Sequence, residues 1–598
     1  MTEIQENRKN SSTRIRFFSY VRALGLLLVL LYHFYPKIMP GGFIGVDIFF
    51  TFSGYLITSL IIVEFRRSES FNLKKFAERR FFRIFPTLFF AMLVTLPLTL
   101  LGSPDLRYQL RQQVLAGLSF VSNLYESSTG ISYENSFAPH MFVHLWSLGI
   151  EIQFYVVWAL ILWLLLRFSK RAFRSKIFLL SLVIALFSAI SMLVTSLGTS
   201  NYSGIYYSPI LHIFPFFIGA TLAGVVGISE SKFIRLFAKN HSVAYLRNAS
   251  LIFGGILVIL SLVLHYDWKI TFMFGFLLAG LATAALIFFL RMMHEKTLPT
   301  QSCEPKIVQG ISDISYGVYI FHWALLVIFL NLRIPHLPAV LLTIVLSFAL
   351  SALMFYVLDP ILHGKIPVSQ PLKQAIAAVS VVLLIPSAAA VAMSTSSTTV
   401  SNTLWQGATA QASQGLYLSE RIIETGAAGA NTLLIGDSVA NGTRTSFSGA
   451  VTLEGEIPTI FGDTAGDRKI SSDLLPDLSN DLGMMPANCA IVIALGTNST
   501  VPETDISILK SVIKQYSDNH QIVLVTPANF SAGGPFNSDK IADWELSIKN
   551  KYKNVAIADW RAAASGHPEY YDPDGIHISD RPEGRKVWID LVKAALAK

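Results

Sequence analysis

The amino-acid sequence predicts two parts of different fold class: a polytopic α-helical membrane bundle of about eleven spans, and a C-terminal α/β three-layer domain. Three observations predict this division. The 598-residue chain is 52% hydrophobic and only 14% charged, whereas soluble proteins are about 25% charged. Long apolar runs recur along the chain and stop at Met393. After Asn431, short apolar runs alternate with amphipathic stretches.

The net charge of +8 is the sum of two unlike parts. Residues 1–373 carry 31 Lys and Arg against 16 Asp and Glu, a net charge of +15. Residues 374–598 carry 16 against 23, a net charge of −7. The basic excess therefore belongs to the apolar part and does not indicate a nucleic-acid partner. The composition also excludes a disordered chain, a collagen and, with 2 Cys, a disulfide scaffold.

Eleven apolar runs are each long enough to cross a lipid bilayer, which takes about 20 helical residues. They cover residues 17–35, 43–64, 84–102, 147–167, 176–197, 209–228, 249–265, 270–291, 314–331, 338–358 and 374–393. We assign residues 1–373 to a membrane domain of ten spans and residues 374–393 to an eleventh transmembrane helix.

The basic residues of the connecting loops orient this bundle in the cell membrane. If the N-terminus is cytoplasmic, the inside segments hold 25 Lys and Arg and the outside loops hold five. Such a bias follows the positive-inside rule and predicts a cytoplasmic N-terminus. Because the number of spans is odd, everything after Met393 is then predicted to be extracellular.

A Ser/Thr/Ala-rich linker is predicted at 394–430, followed by a separate extracellular domain at 431–598. Its predicted strands are 432–438, 489–498, 522–529 and 555–560, and its predicted helices are around 502–517, 538–551 and 582–597. Strands that alternate with helices favour a sheet covered by helices on both faces. Functional sites of such sheets lie at the carboxyl ends of the strands.

Several polar residues of this domain follow predicted strands or lie in late loops. Ser438 comes directly after the first strand, where the N–H groups of a following helix can stabilise an oxyanion. Asp574 precedes His577 by three residues, so one turn can present a base and its orienting carboxylate. Asn498 ends a further apolar run, and Gly466 lies in an intervening loop. Both can donate a hydrogen bond to an oxyanion.

These four blocks resemble those of the SGNH hydrolase and acyltransferase family over about residues 431–590. The resemblance implies that Ser438 is the nucleophile and that His577 is the base, oriented by Asp574. The groups that it implies for the oxyanion hole are the Ser438 amide, Gly466 and Asn498.

Ionisable side chains within apolar spans are energetically costly and are therefore functional candidates. Arg22 and His33 share the first span and project from one face, roughly 16 Å apart. Glu151 lies near the start of the fourth span, and together these three groups favour a polar path through the bundle. The sequence assigns no role to three other ionisable residues in the spans: Asp47, His212 and His322.

A metal site is not predicted in the bundle. His140, His144 and Glu151 have a spacing that resembles a ligand set, but only two of the three fit on one helical turn.

The membrane segments resemble the membrane acyltransferase-3 family over about residues 17–358. The matching stretches are Arg22-x10-His33, GGFIGVDIFFTFSGYLI (41–57), FAERRFFRIFP (76–86), WSLGIEIQFY (146–155) and ISYGVYIFHW (314–323). The resemblance implies that Arg22 and His33 are an essential pair. It also implies that three cytoplasmic arginines contact the phosphates of acetyl-CoA, the acetyl donor: Arg79, Arg80 and Arg83. The alternative for these three is an ordinary positive-inside anchor.

The two parts in one chain resemble the peptidoglycan O-acetyltransferases of Gram-positive bacteria. This resemblance implies an O-acetyltransferase that moves acetyl from cytoplasmic acetyl-CoA across the membrane, through a Ser438 acetyl-enzyme, to cell-wall peptidoglycan. The implied acceptor is the C6 hydroxyl of N-acetylmuramic acid. No permanently bound cofactor is implied.

Three alternatives stay open. In the first, the acceptor is another exported glycan, a teichoic acid or a glycolipid. In the second, the chain is an exported esterase anchored by the bundle, although one span would anchor it well enough. In the third, which is of another class, the chain is a transporter or flippase with an exported binding domain.

Overall fold

The computed structural model describes residues 15–129, 140–168, 172–199, 202–228, 232–297, 304–364, 366–367, 369–398, 431–448, 460–464, 468–531, 536–572, 574–578 and 581–598. The chain divides into two compact units. The first comprises Met1–Tyr133 and His140–Ser394, and the second comprises Glu134–Pro139 and Thr395–Lys598. Most of the predicted linker, residues 399–430, lies outside the described residues.

The apolar helices of the first unit follow the predicted spans in order. They are α1 (Phe18–Phe34), α2 (Gly45–Ser68), α3 (Leu73–Leu98), α4 (Trp146–Phe168), α5 (Phe173–Gly198), α6 (Phe214–Val225), α7 (Val243–Val263), α8 (Phe276–Thr297), α9 (Lys306–Asn331), α10 (His336–Leu353) and α11 (Gln370–Ala392). Shorter helices connect them: Leu110–Leu118, Ser122–Thr129, Tyr202–Tyr206, Lys232–Asn240 and Asp359–Leu362.

Within the described ranges, 9 of these helices are long and apolar enough to cross a membrane. The predicted bundle of long apolar helices is thus confirmed, but the first and sixth predicted spans are shorter helices. Helix α6 has 12 residues and reaches only about 18 Å. Pro215 starts it late, since proline suits the first turn of a helix and not its interior. The number of crossings, and with it the orientation, stays a prediction.

Helix α2 lies deep in the first unit. Gly54 allows its backbone to approach α6, because a Cβ at this position would lie 1.9 Å from the Phe216 carbonyl oxygen. Gly219 of α6 allows the same close approach from the other side, since a Cβ there would lie 1.9 Å from the Thr51 carbonyl oxygen. Polar side chains on α2 are therefore surrounded mainly by other helices.

A five-stranded parallel sheet forms the centre of the second unit, in the order β2-β1-β3-β4-β5. The strands are β1 (Thr432–Gly436), β2 (Ile460–Thr464), β3 (Ala490–Ala494), β4 (Ile522–Val525) and β5 (Val555–Ala558). The helices are α12 (Ser438–Ser448), α13 (Leu474–Asp481), α14 (Pro502–Tyr516), α15 (Ser538–Ser547), a short turn at Trp560–Ala564, and α16 (Pro582–Leu596).

Alternate residues of these strands face opposite helical layers. Leu434 and Val492 belong to one apolar cluster, whereas Leu433 and Ile491 belong to the other. The predicted three-layer α/β fold is confirmed by this arrangement. Strand β2 was not predicted, because its sequence IFGDT has only two apolar residues in succession and lies at the edge of the sheet.

Candidate functional site

Ser438 is the first residue of α12, at the carboxyl end of β1, and is 3% exposed. Asp437 holds this turn in place from three sides. Its backbone N–H donates to the Ala494 carbonyl at 3.1 Å, and its Oδ1 accepts from the Val439 N–H at 3.1 Å. Its Oδ2 accepts from the Thr497 N–H at 3.3 Å. Asp437 therefore caps the helix that begins with Ser438 and ties it to the loop after β3.

Asp574 and His577 form a buried pair. The Asp574 Oδ2 lies 2.6 Å from the His577 Nδ1, and both residues are at most 6% exposed. The other oxygen, Oδ1, accepts from the backbone N–H groups of Ile576 and His577 at 2.8 and 3.0 Å. Three hydrogen bonds thus fix the carboxylate, and the imidazole is oriented with Nε2 on the side away from Asp574.

The charges around His577 favour its protonated form. Burial alone would lower the pKa of His577, but the hydrogen bond and the charge of Asp574 raise it, with further contributions from Asp572 and Asp437. The net effect is a pKa above the ordinary value of 6.5. Burial also raises the pKa of Asp437, against the hydrogen bonds that it accepts. The Asp574 carboxylate therefore stabilises the imidazolium that forms when His577 takes up a proton.

The loop that carries this pair is braced by the loop after β4. The N–H of Phe530 donates to the Gly575 carbonyl at 2.8 Å. Gly575 has a φ of +73°, and a Cβ there would lie 2.8 Å from the backbone of Phe530 and Ser531. Only glycine fits this position without moving one of the two loops.

Of the three groups predicted for the oxyanion hole, the structure describes two, the Ser438 amide and Asn498. Asn498 follows β3 at the same edge of the sheet as Ser438 and is 8% exposed. Gly466 lies outside the described residues. Because all five strands are parallel, Ser438, Asn498 and the loop after β4 meet at one edge.

A second candidate site is a cavity among the helices of the first unit. Four of the predicted residues line it: Arg22, Arg80, Arg83 and Glu151. The Glu151 carboxylate accepts hydrogen bonds from the Ser53 hydroxyl at 2.7 Å and from the Tyr155 hydroxyl. The Arg22 guanidinium lies over the Phe52 ring, 5.2 Å from its centre. Asp313 also lines the cavity, so two carboxylates and three cations face one largely apolar space.

Arg79 does not line this cavity. Its guanidinium is exposed and lies 3.1 Å from the Glu64 carboxylate, in a neighbouring depression that Arg80 also lines. Of the three predicted arginines, the structure brings Arg80 and Arg83 together with Arg22, and leaves Arg79 on the rim.

His33 lies beyond the cavity, paired with His322 of α9. The His33 Nδ1 is 2.7 Å from the His322 Nε2. The two rings stack at 4.9 Å, and the ring of His144 lies 5.7 Å from that of His322. Tyr319 connects these histidines to the cavity, since it lines the cavity, contacts the His322 ring at 5.6 Å and has its hydroxyl 2.6 Å from that of Ser147.

Two contacts between residues of the membrane part were not predicted from the sequence. His322 was noticed without a role, and its place inside the motif ISYGVYIFHW was the available signal. Asp47 and His212 were placed near the same side without a contact, whereas their Oδ1 and Nε2 atoms are 3.0 Å apart and both residues are 0% exposed. In the second unit, the capping role of Asp437 was missed, although it precedes the first residue of a helix.

The three residues whose spacing resembles a metal-ligand set, His140, His144 and Glu151, each have a different partner. The His140 Nδ1 lies 2.8 Å from Glu126, the His144 Nε2 lies 3.0 Å from the Ile320 carbonyl, and Glu151 faces the cavity. Across the described part of the chain, no group of three or more His, Cys, Asp or Glu is arranged to hold a metal ion.

The fold and the two sites define a multi-pass membrane enzyme with a second, α/β unit in the same chain. Residues 15–356 match the family described as acyltransferase domain (Acyl_transf_3). The chain belongs to this family and is an acyltransferase.

Relatives match along nearly the whole chain. The O-acetyltransferase OatA of Staphylococcus aureus (strain NCTC 8325 / PS 47) is 26% identical over 603 residues, which cover 96% of this chain and 94% of the relative. The peptidoglycan O-acetyltransferase OatA of Listeria monocytogenes serovar 1/2a is 25% identical over 626 residues, which cover 97% of each. A solved structure is similar as well, that of the Streptococcus pneumoniae peptidoglycan O-acetyltransferase A C-terminal catalytic domain with a methylsulfonyl adduct. It is 25% identical and covers 28% of this chain and 93% of that chain, with a TM-score of 0.24.

Proposed function

We propose that the protein is a peptidoglycan O-acetyltransferase that takes acetyl from cytoplasmic acetyl-CoA and passes it across the membrane to a sugar hydroxyl. The N-terminus is cytoplasmic and the α/β domain is extracellular in this proposal. Whole-length similarity to two O-acetyltransferases, one of them named for peptidoglycan, supports the choice of acceptor. The acceptor atom that we propose is the C6 oxygen of N-acetylmuramic acid.

The cavity of the first unit is the proposed entry for the donor. Arg80 and Arg83 give it two cations where the positive-inside rule predicts the cytoplasmic side, and guanidinium groups bind phosphate well. The apolar wall, which includes Phe52 and Leu56, suits the thioester end of acetyl-CoA. Arg22 then lies where a cation can stabilise charge on the thioester oxygen.

Tyr319 and the two paired histidines are the proposed route from this cavity toward the outer side. Successive members are in contact, from Ser147 through Tyr319 and His322 to His33. His33 acts in this proposal as the base or acceptor assistant at the outer end. Its partner His322 holds the ring and takes up or returns its proton.

Ser438 is the proposed acceptor of acetyl on the extracellular side. Its Oγ attacks the acetyl carbonyl while His577 takes the hydroxyl proton, and Asp574 holds the imidazole in the required tautomer. The bond between the acetyl group and the group of the membrane domain that presents it then breaks, and His577 gives the proton to that leaving group. The Ser438 amide, Asn498 and Gly466 donate to the oxyanion. The sugar hydroxyl then attacks the acetyl-serine, with His577 again as base. The observation that carries this proposal is the buried 2.6 Å contact between Asp574 and His577, in the unit whose helix α12 begins at Ser438.

A complementation experiment tests the proposal. The chromosomal gene is deleted, and full-length chains carrying Ser438→Ala, Arg22→Ala or the control Ser547→Ala are returned. Ser547 is exposed and bonds only to the Trp544 carbonyl, so this variant removes a serine hydroxyl without touching the site. Mass spectrometry of wall digests measures acetyl on N-acetylmuramic acid, and membrane fractions are assayed with a small activated acetyl ester.

We expect Ser438→Ala to abolish both wall acetylation and ester turnover, and Ser547→Ala to change neither. Arg22→Ala is expected to abolish wall acetylation while ester turnover by the extracellular domain continues. Wall acetylation that persists in Ser438→Ala would refute the acetyl-serine. Loss of acetyl from a teichoic acid, another glycan or a glycolipid, with peptidoglycan unchanged, would instead identify a different acceptor.

A further inference from the structure

Helix α2 carries a second set of polar side chains, on the side away from the cavity. Asp47, Thr51, Tyr55 and Ser59 follow one another at four-residue intervals and so lie along one face of the helix. We call these four residues the polar column. Each is at most 1% exposed. The cavity receives Ser53 from this helix instead, and two positions along a helix is about 200° around it.

The polar column lies against α6 and α8. A Cβ on Gly219 of α6 would lie 1.9 Å from the Thr51 carbonyl oxygen, and a Cβ on Gly280 of α8 would lie 3.8 Å from the Thr51 Oγ1. At the Asp47 end, the carboxylate meets His212, which precedes α6, at 3.0 Å. Rings of other residues cover this end, including Phe276 at 4.7 Å from the His212 ring.

A buried ion pair stands at the opposite end. The Arg291 guanidinium, 2% exposed, interacts with Tyr55 and lies 3.1 Å from the Glu295 carboxylate. Tyr55 and Ser59 have neighbouring hydroxyls. By the predicted topology, Asp47 lies at the outer side and Glu295 at the cytoplasmic side, so the column connects acidic groups near both faces.

The atoms along the column have few protein partners. Among the described residues, five make no hydrogen bond of normal length and angle: Asp47 Oδ2, Thr51 Oγ1, Tyr55 OH, Ser59 Oγ and Arg291 Nε. Each buried polar atom without a partner costs about 1–3 kcal/mol, and ordered water is the usual remedy. Neighbouring positions are about 6 Å apart along the helix, which is the length of two hydrogen bonds through one water. The column from Asp47 to Ser59 covers about 18 Å.

The proposed acyl transfer needs a proton to move in the opposite direction. On the cytoplasmic side the C–S bond of acetyl-CoA breaks and the sulfur gains a proton. On the outer side an O–H bond of the acceptor breaks and a C–O bond forms. If the sulfur takes its proton from the cytoplasm and the hydroxyl proton stays outside, one positive charge leaves the cell for each acetyl. That transfer works against the membrane potential.

We propose that the polar column is a hydrated path that returns this proton from the outer side to the cytoplasmic side. The proton enters at Asp47 and His212, passes along waters held by Thr51, Tyr55 and Ser59, and leaves at Glu295, which lies 3.1 Å from the Arg291 guanidinium. This inference rests on the proposed transmembrane transfer. The covered Asp47 end keeps the path from being an open leak.

Full-length protein in vesicles with its cytoplasmic face outward tests the path. Acetyl-CoA is added outside, soluble muropeptides are enclosed as acceptor, and an enclosed dye reports lumenal pH. The measured quantity is protons released in the lumen per acetyl ester formed there, with free acetate subtracted. The variants are Thr51→Val and Tyr55→Phe, which remove single hydroxyls of the column. The matched control is Thr343→Val on α10, whose hydroxyl is likewise buried and without a partner among the described residues.

We expect about zero protons per ester in the unmodified protein and in Thr343→Val, and a ratio that rises toward one in the column variants. Ester formation by those variants should also slow when the lumen is made positive, by up to about 50-fold for one charge over 100 mV. A ratio near zero in both column variants would overturn the path and leave the acetyl transfer standing. Loss of ester formation at zero potential in both would overturn it too, because a blocked return path still permits transfer there. If the unmodified protein forms no lumenal ester, the proposed transfer and the path fail together.

Discussion

His33 and His322 are 289 positions apart in the chain, yet their Nδ1 and Nε2 atoms lie 2.7 Å apart inside the helical bundle. A hydrogen bond between two imidazoles needs one donor and one acceptor, so it fixes the tautomer of both rings together. The His322 Nδ1 has the Tyr319 carbonyl at 2.7 Å and therefore carries a proton. The His322 Nε2 is then the acceptor, and the His33 Nδ1 is the donor.

Removing either histidine should therefore have the same consequence. We expect His33→Ala and His322→Ala each to lower acetyl delivery to Ser438 by about 10²–10⁴-fold, the range for a proton-transfer group. The double variant should be no slower than the worse single one, because the two rings act as a unit. The measurement is labelled acetyl on Ser438 in membrane vesicles supplied with labelled acetyl-CoA.

His363→Ala is the control for this pair, since His363 is exposed and bonds to Asp359 of its own turn. It should deliver acetyl at the unmodified rate. Losses that multiply in the double variant would contradict the pairing and would indicate two independent roles.

Local patterns were enough to predict much of the second unit. The apolar runs of β1, β3 and β4 belong to buried parallel strands, so composition alone marks them, and edge strand β5 was predicted because it too is a continuous apolar run. The Asp574–His577 pair was also accessible, because three residues separate its members and one turn joins them. Edge strand β2 was missed, since an edge strand needs no continuous apolar run.

Contacts between distant helices were beyond the reach of the same patterns. Hydropathy gives the position of α1 and α9 in the chain but not which face of one meets which face of the other. The contact of His33 with His322 depends on that rotation, as does the contact of Asp47 with His212. The length of helix α6 was overestimated, because the apolar run continues across Pro215 whereas the helix starts beside it.

In the proposed mechanism, the raised pKa of His577 gives ester turnover a defined pH dependence. The base must be neutral to take a proton from Ser438, so kcat/KM should rise with pH through a midpoint above 6.5. Asp437→Asn removes one of the negative charges that raise this pKa and should move the midpoint to lower pH. Asparagine also caps helices well, so α12 should persist. The profile is measured on membrane preparations with an activated acetyl ester.

Asp539→Asn is the matched change, because Asp539 is exposed, pairs with Arg561, and is not one of the charges that raise the pKa of His577. Its profile should coincide with that of the unmodified protein. A midpoint that stays in place in Asp437→Asn would show that this charge does not act on His577.

Glu545 gives the α/β domain a second pH dependence, in its stability. It is 1% exposed, and its Oε2 has no partner among the described residues. Burial, followed by the charge of Asp559, raises its pKa well above the ordinary 4.5. A raised carboxyl pKa means that the stability contributed is complete below the unfolded pKa and is lost as pH rises toward the folded pKa. We therefore expect Glu545→Gln to flatten this fall and to stabilise the domain at alkaline pH.

Urea unfolding of residues 414–598 at several pH values measures this effect. Glu583→Gln, at an exposed position of α16, should reproduce the unmodified curve. A domain that loses stability with rising pH equally in Glu545→Gln would place the responsible group elsewhere.

Gly575 tests how closely the loop of Asp574 and His577 must be held. A Cβ at Gly575 would lie 2.8 Å from the backbone of Phe530, so Gly575→Ala must push the two loops apart. Displacement of a reacting group by about 1 Å costs up to about 10²-fold in rate, and we expect a loss of about 10–10²-fold in ester turnover.

Gly566→Ala separates this steric effect from backbone strain. Gly566 also has a positive φ, +79°, but nothing lies within 4 Å of its would-be Cβ. Both variants should lose some stability, while only Gly575→Ala should lose turnover in the folded state. Equal turnover in the two variants would mean that the contact with Phe530 does not position the Asp574–His577 pair.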